Sequence, residues 1–136
     1  MKTPEGGLSI ILRAGDYESA HYALALAAAA LAVNKPAVLF FTMGGIRALT
    51  GPPPNLENGG LEDWGRDAIN RQRGVGDFET LLQACVELGC RFIVCEMGLR
   101  SLDIDRASLR TDVPFTIAGI VTLLEETKPG MHLLTL

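Results

Sequence analysis

One cysteine of this chain lies where a thiol can take part in chemistry. The stretch RFIVCEMGL, residues 91–99, is an apolar run that leads to Cys95 and then to a turn containing a glycine. Cys95 is therefore predicted at the carboxyl end of a strand, next to the free N–H groups and positive dipole end of a following helix. Such a position favours a thiolate and would stabilise a persulfide, R–S–S⁻, in the same way. The alternative is a core residue, because free cysteine is among the most buried residue types.

The other two cysteines limit the chemistry available to Cys95. Cys85 lies on the apolar stripe of a predicted helix and is expected in the core. Cys90 and Cys95 are five positions apart in one predicted strand. That spacing corresponds to roughly 16 Å at about 3.3 Å per residue, which is too far for a disulfide. Cys95 thus has no resolving cysteine in its own strand, and this favours a single-thiol carrier over a dithiol oxidoreductase.

Backbone amides and glycines that follow predicted strands are the other candidate site groups. The residues after Cys95 are Glu96, Met97 and Gly98, whose backbone N–H groups would stabilise an anionic sulfur. Strand alternation predicts that the Glu96 carboxylate points away from the thiol. Glycine lets a backbone approach a ligand closely. The further candidates are therefore Gly44 and Gly45, which follow the predicted strand 37–42, and Gly119, which precedes the last predicted helix.

The sequence gives little support to metal or nucleotide chemistry. Neither His21 nor His132 has a metal-ligand neighbour at a useful spacing, and we expect both to be structural. The chain has no G-x-x-x-x-G-K-[ST] loop and no G-x-G-x-x-G after strand one. We therefore assign no metal and no cofactor.

Composition and charge exclude several classes of protein. The chain has 136 residues, of which 48% are hydrophobic and 21% are charged, so we expect one globular domain over residues 1–136. A net charge of −4 does not favour nucleic-acid binding. The most apolar run, residues 20–33, is too short to span a bilayer, and no apolar segment of a secretory signal follows the N-terminus. Together with the odd number of cysteines, these features predict a cytoplasmic protein whose thiols are reduced.

Strands and helices alternate along the chain, and this alternation predicts a three-layer α/β/α sandwich. We expect a mostly parallel sheet of five strands, and the sequence leaves the strand order open. Asp16 and Asp77 are placed to cap the helices that follow them. The predicted strands are residues 8–13, 37–42, 91–95, 113–118 and 132–136. The predicted helices are residues 16–33, 77–89, 99–104 and 120–128, with a further candidate at 61–73.

One connection is much longer than the roughly two to six residues that are usual in such folds. It lies between Met43 and Asp77, and we define its later part, residues 51–76, as an insertion. Loops that follow parallel strands lie at the ligand-binding edge of the sheet, so the insertion is expected beside the end of strand three. Arginines of this segment are candidates for binding an oxyanion, although charge clusters are often only solvated surface. These arginines are Arg66, Arg71 and Arg73.

Three segments together resemble the DsrE/DsrF-like family, which includes sulfur-relay and persulfide-carrier proteins. The segment GDYESAHYALALAAAALAVNKPAVLFFTMGGIRAL, residues 15–49, is similar to the first helix and the aromatic-rich second strand of the family. ELGCRFIVCEMGLRSLDI, residues 87–104, is similar to its ELG-x-x-x-x-x-C-x-M segment, and TIAGIVTLLEET, residues 116–127, to its last helix. The branch that the chain most resembles is the peroxiredoxin-like DsrE proteins.

The resemblance implies a fold, a site and a set of partners. The family fold is a three-layer α/β/α sandwich, and a cysteine at the end of a central strand carries the persulfide in sulfur-transferring members. That cysteine corresponds to Cys95. In many proteins of the branch that this chain resembles, the residue three positions after the cysteine carries a hydroxyl group. This chain has Gly98 at that position. The implied partners are sulfur donor and acceptor proteins or small sulfane-sulfur compounds, and a homo-oligomer is expected.

Three hypotheses about function therefore remain. The first is a cytoplasmic sulfur carrier or sulfurtransferase that holds sulfane sulfur on Cys95. The second is a flavodoxin-like module that binds a nucleotide or another small ligand near Gly44, Gly45 and Gly119. The third is a subunit that serves only oligomeric assembly and has no thiol chemistry.

Overall fold

Five strands form one parallel sheet in this computed structural model, which describes residues 6–50 and 60–136. The strands are β1 Leu8–Leu12, β2 Ala37–Phe41, β3 Arg91–Cys95, β4 Phe115–Ala118 and β5 His132–Thr135. Their order across the sheet is β4-β3-β2-β1-β5, and every neighbouring pair is parallel. The predicted α/β fold is confirmed, and the strand order that the sequence left open places β3 inside the sheet.

Helices connect the strands and cover both faces of the sheet. They are α1 Tyr17–Ala32, α2 Arg66–Gln72, α3 Phe78–Glu87, α4 Glu96–Ser101 and α5 Ile120–Glu126. The prediction of a helix over residues 99–104 is wrong in its bounds, because α4 begins directly after Cys95. It ends before Asp103, which adopts a left-handed φ of 52°. A 3-10 helix over Met43–Leu49 was not predicted.

Aspartates begin the two long helices, as predicted. The Asp16 carboxylate accepts a hydrogen bond from the Ser19 amide at 3.0 Å, and Asp77 accepts one from the Thr80 amide at 2.9 Å. These bonds satisfy N–H groups that have no partner within the helix. The hydrogen bonds from Thr80, and then those from Arg71, lower the pKa of Asp77 to about 2.

The alternation of side chains along the strands divides the core into two clusters. On β3, Phe92 and Val94 face the larger cluster, which α1 and α3 cover, while Ile93 and Cys95 face the smaller one. We call the smaller one the α5 cluster, because α5 covers it through Leu123. Its buried members are Val38, Phe40, Ile93, Cys95 and Leu123.

Part of the insertion is fixed by a buried hydrogen-bond network. The Asp67 carboxylate on α2 accepts hydrogen bonds from the Tyr17 hydroxyl at 2.6 Å and from the Phe78 amide at 2.8 Å. Arg71 joins Asp67 to Asp77 with contacts of 2.9 and 3.0 Å. Because α2 thereby contacts the first residues of both α1 and α3, it lies at the carboxyl edge of the sheet. Residues 51–59 of the predicted insertion lie outside the described residues.

An aromatic group packs beside this network. The Trp64 ring lies 5.4 Å from the Tyr17 ring and 5.2 Å from the Phe78 ring, measured between centroids, with edge-on geometry in both pairs. Such edge-to-face pairs contribute roughly 0.5–1.5 kcal/mol beyond the burial of their area. The segment that contains α2 is thus held by aromatic packing as well as by charge.

Within the described ranges, no helix is both long and apolar enough to cross a membrane. The longest helix, α1, has 16 residues. It is rich in alanine and packs closely against the sheet and against α3, because small side chains on its buried face let the backbones approach.

A buried arginine joins the segment before β4 to α3. Arg110 donates hydrogen bonds to Glu79 on α3 and to Asp112, with Nη1–Oε2 and Nε–Oδ1 distances of 2.9 Å. Its side chain is 2% exposed, whereas the side chains of Glu79 and Asp112 are 41% and 46% exposed. The arginine is therefore desolvated and the two carboxylates keep part of their hydration.

We predict that Arg110→Met lowers the free energy of unfolding by about 2 kcal/mol. Both carboxylates lose a charged partner, although they can regain water, so the cost lies below that of a fully buried pair. The measurement is urea-induced unfolding followed by circular dichroism. Arg100→Met, which removes an exposed ion pair with Glu96, is the control and should leave the urea midpoint unchanged. Equal midpoints for the two variants would contradict this role of Arg110.

Candidate functional site

Cys95 is the last residue of β3 and also the N-cap of α4. Its backbone is extended, with φ −73° and ψ 120°, and Glu96 begins the helix directly after it. The carboxyl end of an inner strand and the beginning of a helix therefore coincide at this residue. The strand end is the predicted one, whereas the helix begins earlier than the predicted residues 99–104. Its neighbour in β4 is Ala118, and the loop that leads to α5 follows that residue.

The Cys95 side chain points into the α5 cluster. The residue is fully buried, with an exposed fraction of 0%, and shares the cluster with Val38, Phe40, Ile93 and Leu123. Partly buried Ile11, Ala118 and Met131 pack against the same cluster. The thiol is thus surrounded by apolar groups in the isolated chain and is separated from solvent by α5.

The cover over Cys95 is thin. α5 has seven residues, and Leu123 is its one buried residue. The end of the helix is held to β1 by a 2.7 Å hydrogen bond from the Thr127 hydroxyl to the Ser9 hydroxyl. A longer contact of 3.4 Å joins Glu126 to Arg91. A few contacts of one short helix therefore decide whether the thiol meets solvent.

The outer face of this cover is apolar and exposed. Ile120, Val121 and Leu124 of α5 have exposed fractions of 49%, 68% and 55%, and Leu133 of β5 has one of 46%. Scattered single apolar residues are normal on a surface, but here three of them share one short helix. This outer face lies directly over the cluster that contains Cys95.

Glu96 and Met97 extend outward from the N-terminus of α4. The Glu96 carboxylate forms an ion pair with Arg100, one helical turn later, at 3.4 Å, and both side chains are mostly exposed. Met97 is 51% exposed. The glutamate therefore points away from the buried thiol, as strand alternation predicts.

A pocket of about 420 Å³ lies beside α4. Ile117 of β4 lines it and packs against the larger cluster, whereas Ala118 and Cys95 face the α5 cluster. The pocket and the thiol therefore lie on opposite faces of the sheet. Arg100 and Arg106 of this pocket were not predicted from the sequence. The only local signal is the four-residue spacing from Glu96 to Arg100, which places these two side chains on one face of a helix. The lining residues are Glu96, Leu99, Arg100, Asp103, Ile104, Arg106 and Ile117.

The candidate glycines make close backbone contacts within the protein. A Cβ atom at Gly45 would lie 2.0 Å from the Leu12 carbonyl oxygen, and one at Gly44 would lie 3.1 Å from the Gly15 nitrogen. Gly44 and Gly45 thus pack against the end of β1 and the loop that follows it, which occupy the space proposed for a ligand. Nothing lies within 4 Å of the corresponding position at Gly119. The geometry therefore does not favour a nucleotide cradle built from Gly44, Gly45 and Gly119.

Gly98 has a packing role of the same kind. A Cβ atom there would lie 2.6 Å from the Met43 nitrogen and 2.8 Å from the Ile46 side chain. α4 consequently approaches the 3-10 helix more closely than any other residue at this position would allow. A hydroxyl side chain at position 98 would meet the backbone of Met43 first.

The arginines of the insertion lie among acidic side chains. Arg71 is paired with Asp67 and Asp77. Arg66 borders an open pocket of about 440 Å³ together with Asp16, Glu18 and Asp63. These carboxylates disfavour the binding of an oxyanion. Arg73, at the end of α2, is exposed.

The other two cysteines and His21 make their contacts outside the α5 cluster. Cys85 is fully buried, as predicted, and Cys90 is 7% exposed at the opposite end of β3 from Cys95. His21 forms a 2.7 Å hydrogen bond with the Gly76 carbonyl oxygen and stacks on Tyr17. Among residues 6–50 and 60–136, no three His, Cys, Asp or Glu side chains are grouped as metal ligands would be.

Comparisons with known proteins agree with the observed fold. The model of the DsrE/DsrF-like family matches residues 8–136, almost the whole chain. A solved structure of a protein of unknown function, MTH1491 from Methanobacterium thermoautotrophicum, is similar with a TM-score of 0.52. The two chains are 16% identical, and the match covers 97% of this chain and 99% of the other. At that identity the likeness concerns the fold alone. No curated protein matches the sequence.

We predict that Gly98→Thr lowers the free energy of unfolding by about 1–3 kcal/mol, because the new side chain overpacks the contact between α4 and Met43. Gly119→Ala is the control. Position 119 has a φ of −110° and open space around it. The midpoint temperature of unfolding of the Gly119→Ala variant should therefore stay close to that of the wild type. Thermal unfolding of both variants is the measurement, and a Gly98→Thr variant as stable as the wild type would contradict the close approach.

Proposed function

The chain belongs to the DsrE/DsrF-like family, and from that premise we propose that it is a cytoplasmic sulfur carrier. In this proposal Cys95 holds sulfane sulfur as a persulfide and passes it to the thiol of a partner. Family membership supports a role in sulfur relay. The assignment of the persulfide to Cys95 rests on the position of that residue in the fold.

The observation that carries the proposal is the coincidence of a strand end and a helix start at Cys95. Cys95 is the N-cap residue of α4, at the positive end of the helix dipole, and its side chain makes no capping hydrogen bond to the first turn. It is also the thiol that lies at the carboxyl edge, where parallel α/β sheets bind their ligands. Cys85 and Cys90 lie away from that edge and lack both features.

The sulfur transfer consists of two displacements at sulfur. In the first, the Cys95 thiolate attacks the sulfane sulfur of a donor, X–S–S⁻, and the donor thiolate X–S⁻ leaves. In the second, the thiolate of an acceptor attacks the outer sulfur of the Cys95 persulfide and restores the Cys95 thiolate. Both steps are thiol–disulfide exchanges in form and need no external oxidant.

Loading requires that the cover over Cys95 opens. The thiol is buried beneath Leu123, so a donor reaches it when α5 moves away from the sheet. Short elements with few buried contacts open at low free-energy cost. A partner that binds near α5 would both open the site and receive the sulfur, which limits loss of the persulfide to solvent.

The exposed apolar face of α5 supports a homo-oligomer as part of this proposal. A second copy that covers Ile120, Val121 and Leu124 would remove these side chains from water and stabilise the assembly. It would also add a layer over the Cys95 cluster. The molecular mass in solution distinguishes this arrangement from a monomer.

We predict that Cys95→Ser and Cys95→Ala both abolish sulfur loading, since neither variant has a nucleophilic sulfur at this position. The purified protein is incubated with thiosulfate, polysulfide or a small persulfide, and its mass is measured before and after reduction. The wild type should gain one sulfur atom on the tryptic peptide 92–100, which contains Cys95. Cys85→Ser is the control and should still load Cys95. Equal loading of the Cys95 variants, or no loading of the folded wild type by any donor, would overturn the proposal.

We predict that Leu123→Ala increases the rate of Cys95 alkylation under native conditions by about tenfold or more. Truncation of this side chain weakens the cover by about 2 kcal/mol or more. Leu82→Ala is the matched control, because Leu82 is equally buried in the larger cluster on the other face. If both variants accelerate alkylation equally, the thiol is reached by global unfolding and the α5 cover is not the gate.

A further inference from the structure

The end of α3 brings two cysteines together. Gly89 follows the helix with a left-handed φ of 84°. Its amide donates to the Val86 carbonyl oxygen at 3.2 Å, and the Cys90 amide donates to the Cys85 carbonyl oxygen at 2.9 Å. These two bonds define a Schellman motif, in which the side chains of the third residue before the cap and the second after it are commonly in contact. Here those two residues are Cys85 and Cys90.

The geometry of the motif is compatible with a disulfide. The 2.9 Å backbone bond, together with standard covalent lengths, limits the Cα atoms of Cys85 and Cys90 to a separation of about 7 Å. That value is the limit for disulfide formation. Both side chains belong to the same buried cluster. The neighbouring thiol lowers the pKa of Cys85 and raises that of Cys90. Burial opposes ionisation of both thiols.

Both thiols are free in the reduced protein and have backbone acceptors. The Cys85 thiol donates to the Leu24 carbonyl oxygen at 3.4 Å, and the Cys90 thiol donates to that of Ala37 at 3.6 Å. The pair therefore lies between α1, β2 and the end of α3. Cys90 directly precedes β3 and Cys95 is the last residue of β3. The Cys85–Cys90 pair and the Cys95 thiol are therefore separate sites.

We propose that Cys85 and Cys90 form a second thiol site, a dithiol that reduces sulfane-sulfur compounds and closes to an intramolecular disulfide. The proposal does not depend on sulfur transfer by Cys95. The substrate class is a small persulfide or polysulfide, X–S–SH, that reaches the pair when the last turn of α3 opens. Leu88 in that turn is 50% exposed, and Gly89 ends the helix, so this turn is the part of α3 that opens most readily.

The reaction balances in two steps. The Cys85 thiolate attacks the terminal sulfur of X–S–SH, which forms Cys85–S–SH and releases X–S⁻. The Cys90 thiolate then attacks the Cys85 sulfur, forms the disulfide and releases HS⁻. The protons of the two thiols leave on X–SH and H₂S. The dithiol is oxidised by two electrons, and the sulfane sulfur is reduced to sulfide.

The experiment uses the full chain and inorganic tetrasulfide as the probe. Trypsin cleaves after Arg73, Arg91 and Arg100, so Cys85 and Cys90 remain on one peptide, residues 74–91, while Cys95 is on residues 92–100. We expect the 74–91 peptide of the folded protein to lose two hydrogen atoms and to regain them with a thiol reductant. Sulfide released into solution should rise with the extent of this loss.

Variants separate the two sites. Cys95→Ala should still form the disulfide, whereas Cys85→Ala and Cys90→Ala, small replacements that suit the apolar surroundings, should not. Circular dichroism verifies that each variant is folded. A gain of sulfur on residues 74–91 without the loss of hydrogen would overturn the proposal, and so would an unchanged 74–91 peptide in the folded wild type. Loading of residues 92–100 is recorded independently, so a failure here is distinct from a failure of the Cys95 carrier.

Discussion

The pairing of β3 between β2 and β4 is the constraint on which the candidate site depends. In a strand, successive side chains point to opposite faces of the sheet, so the register of β3 places Cys95 with Ile93 and against α5. A shift of one residue would turn the thiol towards α1 and α3. Because two parallel neighbours fix that register, the position of the thiol follows from the hydrogen bonding of the sheet and not from a flexible loop.

The two faces of the sheet differ in how firmly they are covered. α1 and α3 pack over a large cluster, and the charged network around Asp67 and the Arg110 bonds hold further segments to that side. Within the part of the chain that the structure describes, the opposite face is covered by one seven-residue helix with a single buried leucine. The proposed sulfur carrier would benefit from this asymmetry, because the well-covered side would keep the fold intact while the thinly covered side opened.

Much of the fold follows from the sequence because its strands and long helices have clear apolar patterns. β3 was predicted with its observed bounds, and the Asp16 and Asp77 caps were predicted as well. The beginning of α4 was not predicted correctly, because cysteine is not a typical N-cap residue and the helix has only six residues. The roles of Gly45 and Gly98 were missed for a different reason. Both depend on contacts between distant segments, and no local pattern reports which backbone will approach a glycine. The backbone hydrogen bond from Cys90 to Cys85 also depends on the geometry of the helix end.

The position of Trp64 has a spectroscopic consequence. It is the single tryptophan of the chain, and it packs against Tyr17 and Phe78 where the α2 segment meets α1 and α3. Its fluorescence therefore reports on the docking of that segment, on the face of the sheet opposite Cys95. Emission that stays constant while Cys95 reacts would identify an opening confined to the α5 side. The protein thus carries an internal optical reference for its better-packed half.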